Sequence, residues 1–583
     1  MSIKSSATCV AVLVLTLFGA SLAVAQNGPE ARAEAPSRRL VWNARTVEHL
    51  YNRAGFGATP EQVEEALARR PEDVVEELVS GGREVEPFYV EGPTPLQRMD
   101  ESGLTGSERA RLRSAIRGAD RKQMSAYSQW WLDAMASGAD PLRDRMTLFW
   151  HGFFTSSYRD VRRSDLMAQQ HEMLRSEALG SYAVMLFEIV HDPAMLKYLN
   201  NDVNKKGANN ENFARELMEL FSLGEGNYTE QDIKEVARAL TGMRFDLEGD
   251  YKFRRGQHDF GKKTVLGEKG RLDGEDVVEI LLEQEACARY VAGRVIEFLE
   301  GVAPSEQRLD FYSALLRESK YELAPLLRSL LLDPDFYRDE VVGTRVQGPV
   351  DFAVGAMIRL EMRVPATFVR EATAELGQEL FLPPSVKGWE EGPAWITTSS
   401  LMLRGNLAGM MLGVVDLNAV FGDRIARARE LARGGEPRRD GFDSPESEVD
   451  DDTMRGNDDM MGDDEMMESD DGALKQRGKQ DLPKVIRDLR GEIGSNYIPR
   501  INLRWRMQRA GLTRDAEIAT YLLDAGLAIE APEDLHTRLM GRLRGERDQL
   551  GVKDGELLNH PEAEKVLRRA LHWVLSTPAA QLS

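Results

Sequence analysis

Cysteine is almost missing: of 583 residues only Cys9 and Cys287 carry a thiol. Cys9 falls in the leader that an exported chain would lose, which leaves one thiol and no intramolecular disulfide, so stability has to come from packing. Cys287 sits in the helical-looking run 283–289 with no nearby His or second Cys in sequence to activate it. It reads as a small buried apolar residue. Long apolar runs are also missing. The longest, at 10–22, is shorter than the ~20 residues of a spanning helix, so no membrane span is expected after the leader. Positive charge is short as well, with 75 Lys and Arg against 96 Asp and Glu and a net charge of -21, a balance that opposes nonspecific nucleic-acid binding. There is no phosphate-binding Gly loop, no Gly-x-Ser-x-Gly elbow, no paired-Cys metal motif and no repeated period.

What is present has a clear order along the chain. Lys4, the apolar run 10–22 and the small-x-small triplet Ala23, Val24, Ala25 before Gln26 predict a signal peptide over 1–25, and hence an exported protein, periplasmic or extracellular. Residues 26–39 read as a flexible leader. From 40 to 433, apolar residues recur at three- and four-residue spacing between Gly, Pro and Asn turns, the pattern of many packed helices. Residues 434–480 break that pattern. The stretch 443–471 carries fourteen carboxylates against the single Arg455, with Met460, Met461, Met466 and Met467 in pairs and almost no aliphatic core residues. It reads as a disordered acidic insertion. It lacks the Gly-centred calcium loop and any regular Met spacing, so no metal is assigned to it. Helical periodicity returns over 481–583. The expected fold class is mainly α: a large multi-helix globular domain with a small β-hairpin and a disordered acidic insertion. The hairpin is expected from 243–245 and 251–254 around the turn-prone 247–250, with 264–267 as a third edge.

Six segments are candidates for chemistry. In NNENFARELMELFSLG (209–224), Phe213, Leu217, Leu220 and Phe221 form an apolar stripe that Gly224 ends. Glu211, Arg215 and Glu219, four apart, share another face with Glu216 beside it. They make either a surface ladder of ion pairs or a polar cluster in which Arg215 holds ligand-binding carboxylates or bridges to the next helix. That next helix is capped by Thr229 with Asp232 and buries Ile233, Val236, Ala237 and Leu240. In LFWHGFFTSS (148–157), His151 lies among aromatics, as either a hydrogen-bonded core histidine or a site residue. His258 and Asp259, followed by GKKT, pair an imidazole with a carboxylate suited to acid–base work, although adjacent side chains often point apart. The rigid loop LPPSVKGW (382–389), followed by GPAWITTS (392–399), offers Lys387 and Trp389 to a ligand or packs on the core. Glu188 and His191 match the spacing of carboxylate di-iron helices, but Asp192 and Pro193 read better as a cap and first turn. His171 and Glu172 lack the second His of a zinc-protease helix.

Taken in order, YNRAGFGAT (51–59), FWHG (149–152), NENFAREL (210–217), YTE (228–230), ARALTG (237–242), HD (258–259) and PPSVKGW (383–389) resemble the bacterial family catalogued as domain of unknown function 1800. LSTPAAQ (575–581) resembles its closing segment. The resemblance implies large, often exported proteins with no agreed activity. Members are frequently encoded beside sulfatase-like partners, which implies by association an extracellular sulfated or polymeric carbohydrate. Two departures stand out: this chain has His151, Gly152 and Phe153 where the family often has Trp-His-x-His, and Ala580 where an aromatic is common.

The expected arrangement is one polar cleft built from His151, Asn210, Glu211, Arg215, Glu216, His258, Asp259, Lys387 and Trp389. Arg215 would clamp an anionic group and Trp389 would stack on the ligand, an extracellular carbohydrate or a partner protein. If the cleft is hydrolytic, Glu216 would serve as acid or base with His258 and Asp259 assisting. The alternative is a structural or interaction protein in which these polar segments are ties. The cofactor is left unknown.

Overall fold

The computed structural model describes residues 39–83, 85–93, 97–99, 102–415 and 501–583. The expected signal peptide, all of the leader but Arg39, and the acidic insertion lie outside the described residues. Within them the chain is helical, with two small two-stranded antiparallel sheets. The helix starts are written locally: Asn43, Thr59, Thr105, Thr229, Asp273 and Thr397 each accept from the third backbone N–H of the helix that follows, and the third residue answers the cap. Thr229 accepts from Asp232 N at 3.2 Å, and its own N donates to Asp232 at 3.0 Å. Left-handed glycines, Gly138 and Gly301, close two of the longest helices.

The apolar faces of these helices fuse into two clusters. One gathers Leu186, Ile189, Phe213, Leu217, Val291, Val295, Leu327 and Leu330 from the middle of the chain. The other gathers Tyr127, Trp131, Phe352, Met357, Ile518, Leu522, Leu567 and Leu571, so helices before and after the insertion share one core. Each such buried Leu, Ile or Phe contributes roughly 1.5–3 kcal/mol. The Pro141–Phe153 helix lies between the two clusters, giving Leu148 to one and Phe149, Trp150 and Phe153 to the other. The segment after the insertion is tied back at several points: Asn52 Nδ2 donates to the Ala528 carbonyl at 2.9 Å, and Gln347 N to the Gln581 carbonyl at 2.8 Å.

The expected hairpin forms, Met243–Phe245 pairing with Tyr251–Phe253. The segment expected as its third edge does not join it. Lys263–Val265 folds onto Glu268–Gly270 instead, because Leu266 and Gly267 both take positive φ (50° and 92°), the geometry of a tight hairpin turn that returns the chain on itself. The NENFAREL helix also differs in detail. It runs as an α-helix over Asn212–Met218 and widens into a π turn over Glu219–Leu223. Two carbonyls of this wider turn are taken by side chains, Tyr290 donating to Leu220 O at 3.1 Å and Tyr182 to Phe221 O, and Ser222 within it donates back to Leu217 O at 2.6 Å. Asp192 caps the Pro193–Tyr198 helix through Met195 N at 2.7 Å, as its sequence suggests. Cys287 is buried, and burial pushes its thiol up to about 12.

Candidate functional site

Tyr127 and Trp131 lie one helical turn apart on the Gly106–Ser137 helix and so face the same way. Onto that face the Pro141–Phe153 helix brings His151, the Ser164–Ser176 helix brings His171, and the loop around 381–389 brings Phe381 and Trp389. The rings form a tight group. Trp131 is 4.2 Å from His171 and 5.5 Å from His151 between centroids, and His151 is 4.9 Å from Phe381, 5.5 Å from Trp389 and 6.4 Å from His171. Two close backbone approaches hold the loop in place. Tyr158 N donates to Phe381 O at 2.9 Å, and Gly388, at φ 85°, lies so near the helix that a Cβ on it would come within 2.8 Å of Gly152 O. A side chain at 388 would push the loop off the helix.

The group is apolar in composition yet rich in unpaired nitrogen. His151 is 1% exposed, and neither its Nδ1 nor its Nε2 has a hydrogen-bond partner among the described residues. The same holds for His171 Nε2, Trp131 Nε1, Trp389 Nε1 and Ser157 Oγ. An unpaired buried polar atom costs on the order of 1–3 kcal/mol, so several in one cluster need a physical reason. The His171 tautomer follows from its neighbours. Tyr127 donates its one hydroxyl proton to Glu172 Oε1 at 2.6 Å, so its contact with His171 Nδ1 at 2.8 Å requires Nδ1–H to donate to the tyrosyl oxygen. His171 Nε2 is then a bare lone pair. Burial keeps both imidazoles neutral, pushing His151 down to about 3 and His171 well below the ordinary value. A neutral His151 offers one donor and one acceptor, and the two indoles offer donors only. The cluster therefore suits a group that both gives and takes hydrogen bonds, as a hydroxyl does.

At the rim the electrostatics link this group to the NENFAREL helix. Burial and then the Glu219 charge raise the Glu216 carboxyl, while Arg215 and, more weakly, Lys387, exposed and two residues from Trp389, favour its charged form. Tyr198 is pushed up to about 12 by burial, then by the Asp160 and Glu216 charges. Of the residues expected in the cleft, His151 and Trp389 thus meet ring to ring, although 238 positions separate them in the chain, and Lys387 lies within electrostatic reach of Glu216.

The others serve local ties. Arg215 forms a two-pronged pair with Glu230 at 2.8 and 2.9 Å, with Glu211 farther off at 3.9 Å, while Glu219 accepts from Tyr228. Arg215 therefore bridges to the next helix. Asn210 shapes the turn before its helix: its N donates to Asn204 Oδ1 at 3.1 Å, and its Oδ1 accepts from Asn212 N at 3.0 Å. His258 and Asp259 point apart. His258 Nδ1 donates to Thr241 O at 2.9 Å, whereas Asp259 accepts from Arg238 Nε and from Gly261 N, both at 2.8 Å. The Arg238 guanidinium holds the Asp259 carboxyl down to about 2. No described contact joins this pair to His151 or Trp389.

Reading the sequence alone misses Tyr127, Trp131, Phe381 and the part played by His171. The available signal was YSQWW at 127–131, with an aromatic at each end of one helical turn, and the HE pair at 171–172. No group of three or more His, Cys, Asp or Glu side chains able to hold a metal ion occurs among the described residues, and no helix there is long and apolar enough to cross a membrane. Compared with known proteins, residues 49–581 match a family model described as Protein of unknown function (DUF1800). No curated protein and no solved structure matches the chain.

Proposed function

We propose, from the premise that this chain belongs to the DUF1800 family, that it is an exported binding protein for a hydroxyl-rich ligand, an extracellular carbohydrate. The observation that carries the reading is the unpaired nitrogen cluster of His151, His171, Trp131 and Trp389, closed by a loop whose Lys387 lies within electrostatic range of Glu216. A sugar ring stacks on an indole face, and its hydroxyls both donate and accept, matching a site that offers bare imidazole lone pairs and indole N–H donors together. Trp389, only half-buried, is the residue a ligand meets first, with Lys387 and Glu216 beside it as charged contacts. The signal-peptide pattern over 1–25 supports export to the periplasm or the cell exterior. A partner protein bearing serine, threonine or sugar hydroxyls is the second occupant of the same reading.

The test is a screen of the chain from residue 26 onward against neutral and sulfated glycans, followed by titration of any hit. Trp389→Ala is expected to weaken capture at least tenfold with the fold retained, while Arg215→Ala leaves it unchanged. Binding that ignores Trp389 would defeat the proposal. Hydrolysis in the same cleft is a second reading, favoured by Glu216: burial raises its carboxyl, the direction a general acid needs. On that reading Glu216→Gln abolishes turnover and keeps binding, whereas a pure binder shows no turnover in any variant.

A further inference from the structure

The YNRAGFG segment, unused by the proposed cleft, buries an arginine cluster. Arg53, at the end of the Ala44–Ala54 helix, is 0% exposed and uses only Nη2, which donates to Val341 O at 2.7 Å. Its Nε and Nη1 have no partner among the described residues. Two more guanidinium groups repel it: Arg145, also fully buried, and Arg345. Both of these share one carboxylate, Asp351, Arg145 through Nη1 and Arg345 through Nη2 at 3.0 Å. Arg345 Nη1 is buried and unpaired as well.

The other acids nearby are already engaged. Glu300 takes both arms of Arg308, at 2.7 and 2.6 Å, with Arg338 at 3.5 Å, and Asp333 takes Arg308 at 2.8 Å. Arg53, Arg145, Arg308, Arg338 and Arg345 thus face Asp351, Glu300 and Asp333. Arg338 also reaches Glu340 at 4.0 Å, which leaves Arg53 as the guanidinium of this group with no carboxylate partner among the described residues. Buried like charge of this kind is costly unless a counter-charge reaches it. Gly301 marks where the two arginines come together: a Cβ built on it would stand 2.8 Å from Arg345 Cβ and 3.2 Å from Arg53 Nη1. Arg345, whose side chain is 14% exposed, borders solvent and gives a route in.

We infer that a small inorganic monoanion of chloride size binds between Arg53 and Arg345 beside Gly301, as a structural ion that neutralises this cluster. The unpaired Nε–H and Nη1–H of Arg53 and the Nη1–H of Arg345 are its donors, and full burial of Arg53 limits its size. This stands apart from the carbohydrate reading, since none of these residues belongs to that cleft.

The test is thermal unfolding of the full chain in sodium gluconate, chloride, bromide, sulfate and phosphate at fixed ionic strength. Chloride and bromide are expected to raise Tm saturably over gluconate, as for any ligand bound only by the folded state. Arg53→Met is expected to lose that rise, while Arg328→Met, which breaks the exposed pair with Glu76, keeps it. Should Arg53→Met fail to fold, crystals of the unaltered chain grown in bromide decide: an anomalous peak within hydrogen-bond distance of Arg53 supports the site. Equal Tm in all five salts, a rise confined to sulfate and phosphate, or bromide absent from the cluster would overturn it.

Discussion

His151→Leu separates a residue held for stability from one held for function. A histidine that stabilises a core has its nitrogens hydrogen-bonded, and removing it costs stability. His151 has both nitrogens buried and unpaired. Replacing the ring with leucine relieves two unsatisfied atoms, about 1–3 kcal/mol each, and forfeits edge contacts with Trp131, Phe381 and Trp389, about 0.5–1.5 kcal/mol each. At their midpoints the two terms nearly cancel, leaving about 1 kcal/mol of added stability, measured by urea unfolding at pH 7, with ligand capture reduced.

The pH dependence sharpens the same test. Unfolding frees His151 to titrate at its usual value near 6.5, whereas burial holds it at about 3 in the fold. The unfolded chain therefore binds more protons between these values, and stability is lost as pH falls from 6.5 towards 3, by about 1.4 kcal/mol per pH unit for this one group. Asp192, pushed up to about 7 by burial, titrates in the same window with the opposite sign, as does Asp144 at about 6. The informative quantity is therefore the difference between the unaltered protein and the variant, whose acid slope should be shallower by close to one proton. A variant destabilised by more than about 2 kcal/mol at pH 7, or one with an unchanged acid slope, would refute the reasoning.

Further outcomes follow from single contacts. Gly388→Ala sets a methyl 2.8 Å from Gly152 O at a positive φ, so it should cost about 1–3 kcal/mol and weaken ligand capture by shifting Trp389, read by unfolding and titration together. Arg215→Ala removes an exposed pair with Glu230 and should cost at most about 1 kcal/mol in chemical denaturation. Cys287 should resist a thiol reagent in the folded chain and react stoichiometrically in denaturant, because burial raises its thiol to about 12.

The helices and their caps were legible because both are local. Thr229 with Asp232, Gly224 and the stripe of Phe213, Leu217 and Phe221 needed only spacing to be read. The hairpin at 243–253 was legible for the same reason, whereas the fate of 264–267 turned on φ at Leu266, a residue that gives no glycine-like signal. The candidate site was legible in part. Spacing brought out His151, Glu216, Lys387 and Trp389 as chemistry-bearing residues, but the meeting of His151 with Trp389 depends on packing between a helix and a loop far apart in the chain. Arg215 shows the limit most clearly: on a helical wheel its partners are Glu211 and Glu219, yet its closest pair is Glu230 on the next helix. The His171 lone pair was out of reach, since its tautomer is set by Tyr127 and Glu172 together.

The most direct measurement is calorimetric titration of glycan hits into the chain from residue 26 onward, beside Trp389→Ala and His151→Leu, all confirmed folded. A hydroxyl-binding cluster predicts saturable binding that both substitutions weaken at least tenfold. Equal affinity in all three proteins, or no uptake of any neutral or sulfated glycan, would contradict it.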